Sequence, residues 1–177
     1  MDLTILLIII LVLLLIIIFL AVQFFNIIFR GYAPFISTSG KVIKRIIEEL
    51  NLAKGSRVYE LGCGRAGFLH AACNKFAGIE TVGIENDLLV YLISSIQAAL
   101  TKHKIKIVKA NFFKVDLSQA DLIYCYLNVG TMAKLKDKLL KECKKGAQVV
   151  SYMFTLPDVN PDKTIKMGIH RIYFYTI

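Results

Sequence analysis

The chain has 177 residues, a formal net charge of +9 and 56% hydrophobic residues. This composition excludes a disordered or collagen-like chain. The length excludes a many-spanning transporter and leaves room for one soluble domain of about 150 residues.

The excess apolarity sits at one end. Residues 1–29 contain 25 hydrophobic side chains, the exceptions being Asp2, Thr4, Gln23 and Asn26. Leu3 to Phe29 carries no formal charge, and about 20 residues of helix cross a bilayer core. A cleaved signal peptide would have a basic start, a shorter apolar run and a small-residue cleavage site. None of these is present, so residues 1–29 are expected to form one uncleaved transmembrane anchor. All 22 Lys and Arg lie beyond it with 12 of the 13 acids, so the remainder carries +10. Arg30, Lys41, Lys44 and Arg45 flank the C-terminal end of the anchor. The positive-inside rule then puts the N-terminus outside and the soluble domain in the cytoplasm, at the cell membrane. The bilayer is the first expected partner. No aromatic-interleaved basic motif marks a nucleic-acid surface, and none is expected as a partner.

Residues 30–38 read as a linker, and 39–177 as the soluble domain. Ser39 to Asn51 is an amphipathic helix with Val42, Ile43, Ile46, Ile47 and Leu50 on one face. Arg57 to Leu61 reads as a strand, Gly62 to Gly67 as a tight turn and Phe68 to Phe76 as a helix. Thr81 to Glu85 is a strand, Asp87 to Lys102 a helix and Lys104 to Ala110 a third strand. Asp121 to Leu127 is a fourth strand, Thr131 to Lys144 a Lys-rich helix and Ala147 to Phe154 a fifth strand. Ile169 to Ile177 is β-branched and aromatic, with Thr164 to Met167 as its pairing partner. The alternation predicts an α/β, doubly wound, Rossmann-like sheet, mostly parallel with an antiparallel C-terminal edge.

Cys63, Cys73, Cys125 and Cys143 have no CxxC spacing and read as reduced core thiols, neither a disulfide framework nor a zinc site. His70, His103 and His170 lack metal spacing and read as structural or exposed. No metal is expected.

Val58 to Gly67 carries the chemistry. A strand runs into a glycine turn that opens a helix, and in doubly wound sheets such turns line the ligand crevice. Gly62-x-Gly64-x-x-Gly67 fits a dinucleotide fingerprint, with Glu85 at the end of the next strand to hold a ribose. That leaves an NAD(P)-dependent oxidoreductase open. Glu60 opposes it, because a carboxylate before the first glycine would face an anionic pyrophosphate. The length, short for a dehydrogenase with a substrate domain, opposes it too. The same carboxylate suits the ammonium and sulfonium of S-adenosylmethionine, which also has a ribose for Glu85. Asn111 and Phe112, after the third strand, read as adenine contacts or as a turn cap. Tyr124, Tyr126 and Asn128 read as substrate-lining residues or as core and turn.

Glu60-Leu61-Gly62-Cys63-Gly64 resembles motif I of class I S-adenosylmethionine-dependent methyltransferases. Gly83-Ile84-Glu85-Asn86 resembles their second motif, and Ala110 to Ser118 their third, with Asn111 where Asp is usual. Pro34-Phe35-Ile36-Ser37-Thr38 after an anchor resembles the pre-catalytic segment of one subfamily. That subfamily contains the mitochondrial lysine methyltransferases acting on ATP synthase subunit c and on the adenine nucleotide translocase. Gly146 to Pro157 resembles its late strand. The chain departs at Arg65-Ala66, where an acidic residue and Gly are usual, and at Ser37, where Pro is.

The resemblance implies a methyltransferase sheet and S-adenosyl-L-methionine as cofactor, held by Glu60, Gly62, Cys63, Gly64, Glu85, Asn86, Asn111 and Phe112. It implies protein-lysine methylation of a membrane-proximal lysine, with Pro34, Phe35, Tyr126 and Asn128 toward the substrate. A membrane protein is the expected substrate. A lipid headgroup amine or small molecule, and a non-catalytic membrane adaptor, are the alternatives.

Overall fold

The computed structural model describes residues 2–30 and 37–177. It divides into two units, Met1–Ile36 and Ser37–Ile177. In the first, α1 runs Leu3–Arg30, and its Leu3–Val22 stretch is long and apolar enough to cross a membrane. Pro34 and Phe35 lie outside the described residues.

The second unit opens with α2 (Gly40–Glu49), which buries Val42, Ile43, Ile46 and Ile47 at the spacing of one helical face. The alternation follows: β1 (Arg57–Leu61), α3 (Gly67–Lys75), β2 (Glu80–Glu85), α4 (Leu88–Ala99) and β3 (Ile105–Lys109). A short 3-10 turn at Phe112–Lys114 precedes β4 (Leu122–Cys125), α5 (Val129–Glu142) and β5 (Gln148–Tyr152). The chain closes with β6 (Lys163–Met167) and β7 (His170–Thr176).

Among the described residues these strands form one seven-stranded sheet in the order β3-β2-β1-β4-β5-β7-β6. The first five are parallel. The C-terminal hairpin adds antiparallel, with β7 against β5. The expected mostly parallel sheet with an antiparallel edge is what forms.

The central strands β4 and β5 carry two apolar faces because both are covered. Val58, Leu122, Tyr124 and Val150 join α2 and α3 in one core. Leu61, Ile123, Cys125 and Val149 join Met132, Leu135 and Leu139 of α5 in the other. The order reverses between β1 and β4, which opens a crevice at the carboxyl ends of those strands.

Most element boundaries shift by one to three residues from the sequence expectation, and three of the shifts have a clear local reason. α4 stops at Ala99, where the Thr101 hydroxyl donates to the Ala98 carbonyl (2.9 Å). β4 stops at Cys125, because its partner β1 leaves the ladder at Leu61 to enter the glycine turn. Tyr126 and Leu127 therefore project past the sheet. α5 starts at Val129, two residues early, because the Asn128 side chain accepts from the Thr131 N–H (2.8 Å) and caps the helix.

Candidate active site

The carboxyl ends of four adjacent strands gather the residues read from the sequence. Gly62 to Gly64 follow β1, Glu85 ends β2 with Asn86 next, Asn111 and Phe112 follow β3, and Tyr126 and Asn128 follow β4. Gly62 and Gly64 both have positive φ, 67° and 52°, a conformation that disfavours side chains. A Cβ on Gly62 would also stand 3.3 Å from Leu127 Cδ2. The Gly62 and Cys63 N–H groups both donate to the Ile84 carbonyl, at 2.9 and 3.0 Å.

Glu85 locks this turn from the neighbouring strand. Its Oε2 accepts from the Gly64 N–H (3.1 Å), and its Oε1 accepts from the N–H groups of Asn86 (2.8 Å) and Asp87 (2.9 Å). The carboxylate is half-buried, so part of it stays open to solvent at the strand end.

Glu60 is buried on the face of β1 that carries Val58, under α3 and on the same side of the sheet as Glu85. It accepts from the Leu69 N–H (3.3 Å), a free donor of the first turn of α3. Burial pushes its carboxyl up to about 8, outweighing the lowering by the Leu69 and Phe68 N–H groups, and nearby Glu85 adds to the rise. Glu60 is therefore a helix anchor beside the glycine turn, neutral in the empty fold until the pH approaches about 8.

Cys63 joins the turn through its backbone N–H. Its thiol is buried against β2, and burial pushes it far above the usual range. Gly83 is what makes room for it. A Cβ there would sit 2.8 Å from Cys63 Sγ and 2.9 Å from Ile107 Cδ1. Gly83→Ala is thus expected to displace the glycine turn, costing about 1–3 kcal/mol of stability and lowering cofactor affinity with it. A melting curve and a cofactor titration check this; an unchanged turn would show as wild-type values in both.

The four thiols are free. Burial holds Cys125 up to about 12 and Cys143 up to about 11, so they remain protonated core groups. Asn111 does what a turn cap does, accepting from the Phe113 N–H (2.9 Å), while Phe112 is half-buried beside Phe113 with ring centroids 4.6 Å apart. Ala66 occupies a left-handed position (φ 54°) where glycine is the ordinary occupant. Arg65 is exposed, so solvent screens its charge.

Sequence reasoning missed the aromatic group beside Tyr126. Tyr152 meets it edge-on at 4.6 Å, and Phe154 lies 6.5 Å away and near-parallel. Tyr152 in turn shares a hydrogen bond with His170 Nδ1. The signal lay in strand order: β5 lies beside β4, so their ends share one rim. The Tyr124 hydroxyl, inside the core and stacked on Phe68 at 4.3 Å, shares a 2.6 Å hydrogen bond with Thr38 Oγ1. It therefore ties the segment before α2 to the crevice strand.

The strand ends thus carry the half-buried Glu85 carboxylate, the buried Glu60 carboxyl behind it and a bare glycine backbone, with no buried cation among the described residues. That donor set suits a cationic, ribose-bearing ligand without phosphate. Residues 60–163 match the profile of the ANTKMT methyltransferase domain. The chain belongs to this ANTKMT methyltransferase family.

A curated protein-lysine N-methyltransferase of Saccharolobus islandicus (strain REY15A) is 32% identical over 152 residues, covering 82% of this chain and 94% of that protein. An RNA methyltransferase from Salinibacter ruber, solved with S-adenosyl-L-homocysteine, has a TM-score of 0.76 at 25% identity, over 80% of this chain and 94% of that one. A ribosomal protein L11 methylase from Lactobacillus delbrueckii subsp. bulgaricus shares the fold, with a TM-score of 0.65 at 16% identity over 81% and 87% of the two chains. This ANTKMT-family protein is an S-adenosylmethionine-dependent methyltransferase, which resolves the two cofactors left open by its glycines.

Proposed function

We propose that the chain is a membrane-anchored protein-lysine N-methyltransferase that modifies a lysine close to the bilayer surface. The carrying observation is one polypeptide that joins a 20-residue apolar stretch, Leu3–Val22, to a crevice of this family. The substrate class comes from the relative named as a protein-lysine N-methyltransferase. The anchored N-terminus lies outside, and the +10 domain faces the anionic cytoplasmic leaflet.

In this reading Glu85 accepts from the ribose hydroxyls and Glu60 balances the positive charge of the methionine end. Gly62, Cys63 and Gly64 give close backbone approach, and Asn86, Asn111 and Phe112 flank the nucleoside. Bound S-adenosylmethionine supplies the activated methyl group. The protein's task is to hold a neutral amine in line with it. A lysine with an ordinary pKa of about 10.4 must first lose a proton. Partial desolvation and the basic domain both favour that loss. The aromatic rim of Tyr126, Tyr152 and Phe154 suits an aliphatic stem with a cationic head, with Asn128 on the same strand end.

Thr38 and Tyr124 position this rim. Tyr124→Phe is expected to lower turnover about tenfold through misplacement, with cofactor affinity changed less than about threefold. Unaltered turnover would remove the tether from the account.

Labelled methyl transfer from S-adenosylmethionine to native membranes tests the function. The expected product is a labelled protein band carrying methyl-lysine by mass spectrometry. Label in the lipid extract instead would assign a headgroup amine as substrate.

A further inference from the structure

α4 is built inside out. No residue from Leu88 to Ala99 is charged. What it buries against the sheet is small, Ser94 and Ala98, and the Ser94 hydroxyl donates back to the Val90 and Tyr91 carbonyls at 3.0 Å. The large side chains face outward. Leu88, Leu89, Leu92, Ile93, Ile96 and the capping Leu100 are 46–82% exposed. They make up six of the nine exposed large apolar side chains outside α1 among the described residues. Leu88, Leu92, Ile96 and Leu100 recur every four residues, with Leu89 and Ile93 alongside, so they form one stripe. A contiguous exposed apolar stripe of this kind marks an interaction surface.

We propose that the outer face of α4 docks into the surface of an anionic lipid bilayer, with the helix lying along the membrane plane. Two observations choose lipid over a protein occupant. The first is charge. Lys102 and Lys104 follow the helix directly and are exposed. At its other end Lys109 is exposed and registered beside Glu85. It lies on the same face of β3 as Ile105 and Ile107, which line the gap under α4 with Tyr91, Ser95 and Ala98. An uncharged Leu/Ile stripe bracketed by lysines has the pattern of an interfacial helix. A protein-binding stripe would carry aromatic and Arg anchors, and this stripe has none. The second is reach. Nine residues, 31–39, separate α1 from α2 and span at most about 30 Å. An inserted α1 therefore keeps the domain within range of the same surface.

The consequence concerns the site. Glu85 lies three residues before Leu88, and the intervening Asp87 caps α4 by accepting from the Val90 N–H (3.0 Å). Docking would fix the ribose end of the crevice at the membrane and restrict accessible lysines by depth. This goes beyond anchoring, since insertion of α1 and docking of α4 are separate events.

The chain has no tryptophan, so Ile96→Trp gives a single reporter. The full chain is reconstituted into phosphatidylcholine–phosphatidylglycerol vesicles, with and without brominated phosphatidylcholine, and its flotation is followed. Emission of the indole introduced on α4 is expected to be quenched at least about twofold, because an interfacial helix sits about 5–10 Å into the headgroup boundary. Leu140→Trp, on exposed α5 over the opposite core, is expected to stay unquenched. A floating protein whose α4 indole is unquenched would overturn docking and leave the anchor reading intact. A blue-shifted but unquenched α4 indole would give the stripe to a protein surface, α1 or a second copy, and overturn it as well. A chain that does not float overturns both readings.

Discussion

Glu85→Ala is expected to bind S-adenosylmethionine at least about 100-fold more weakly than the wild-type chain, because two charge-assisted hydrogen bonds at about 1.5–3 kcal/mol each are lost. The same carboxylate accepts from Gly64, Asn86 and Asp87 N–H groups, so its removal also loosens the glycine turn. Two readouts separate these effects. Calorimetric titration reports cofactor affinity, and melting without cofactor reports the turn. A large affinity loss with a modest fall in melting temperature is the predicted pair. Affinity within about threefold of wild type would remove Glu85 from the ribose site, since one lost hydrogen bond already exceeds that.

Glu60→Gln is expected to stabilise the empty protein and weaken the working one. The Glu60 carboxyl stands at about 8 in the fold, against an ordinary 4.5. A carboxyl raised in this way contributes its stability below about pH 4.5 and loses it as pH rises through about 8. A glutamine at this position keeps the oxygen that accepts from Leu69 and carries no charge. The melting temperature of the variant should therefore exceed that of wild type by more than about 5 °C at pH 8, with the gap closing toward pH 4.5. Cofactor binding should show the reverse. A cationic ligand favours the ionised carboxylate, so binding to the wild type releases a proton and tightens from pH 6.5 toward 8 on the order of tenfold. Glu60→Gln should bind more weakly, with a flat profile and no proton release across buffers of different ionisation heat. A variant that melts lower at pH 8, or a wild type that releases no proton, would contradict this role.

The sheet was legible because its strands are short apolar runs bounded by turn residues. β1 falls on Arg57–Leu61, as the alternation places it. The crevice was legible for a related reason: one glycine turn and one acidic strand end, in register, locate it. What stayed hidden depends on neighbours remote in sequence. Glu60 could be read as a carboxylate near a ligand, but its bond to Leu69 needs α3 folded back over β1. Gly83 looks like any strand glycine until Cys63 packs against it. Asn128 reads equally as a substrate contact or as a turn residue, and only the α5 start at Val129 shows its capping bond. α4 is the plainest case. Its run of Leu, Ile, Ser and Ala has no charged face to orient it, so periodicity cannot reveal that the small residues turn inward. Tyr124 sits in the core, as half of its reading held, yet its hydroxyl reaches Thr38.

Side-by-side titration of the full chain with S-adenosylhomocysteine and NADH most directly tests the central claim, that the paired carboxylates of β1 and β2 build a site for a phosphate-free methyl-donor nucleoside. Saturable binding of the homocysteine compound, lost in Glu85→Ala, and no binding of NADH are expected. Binding of NADH without S-adenosylhomocysteine would contradict it.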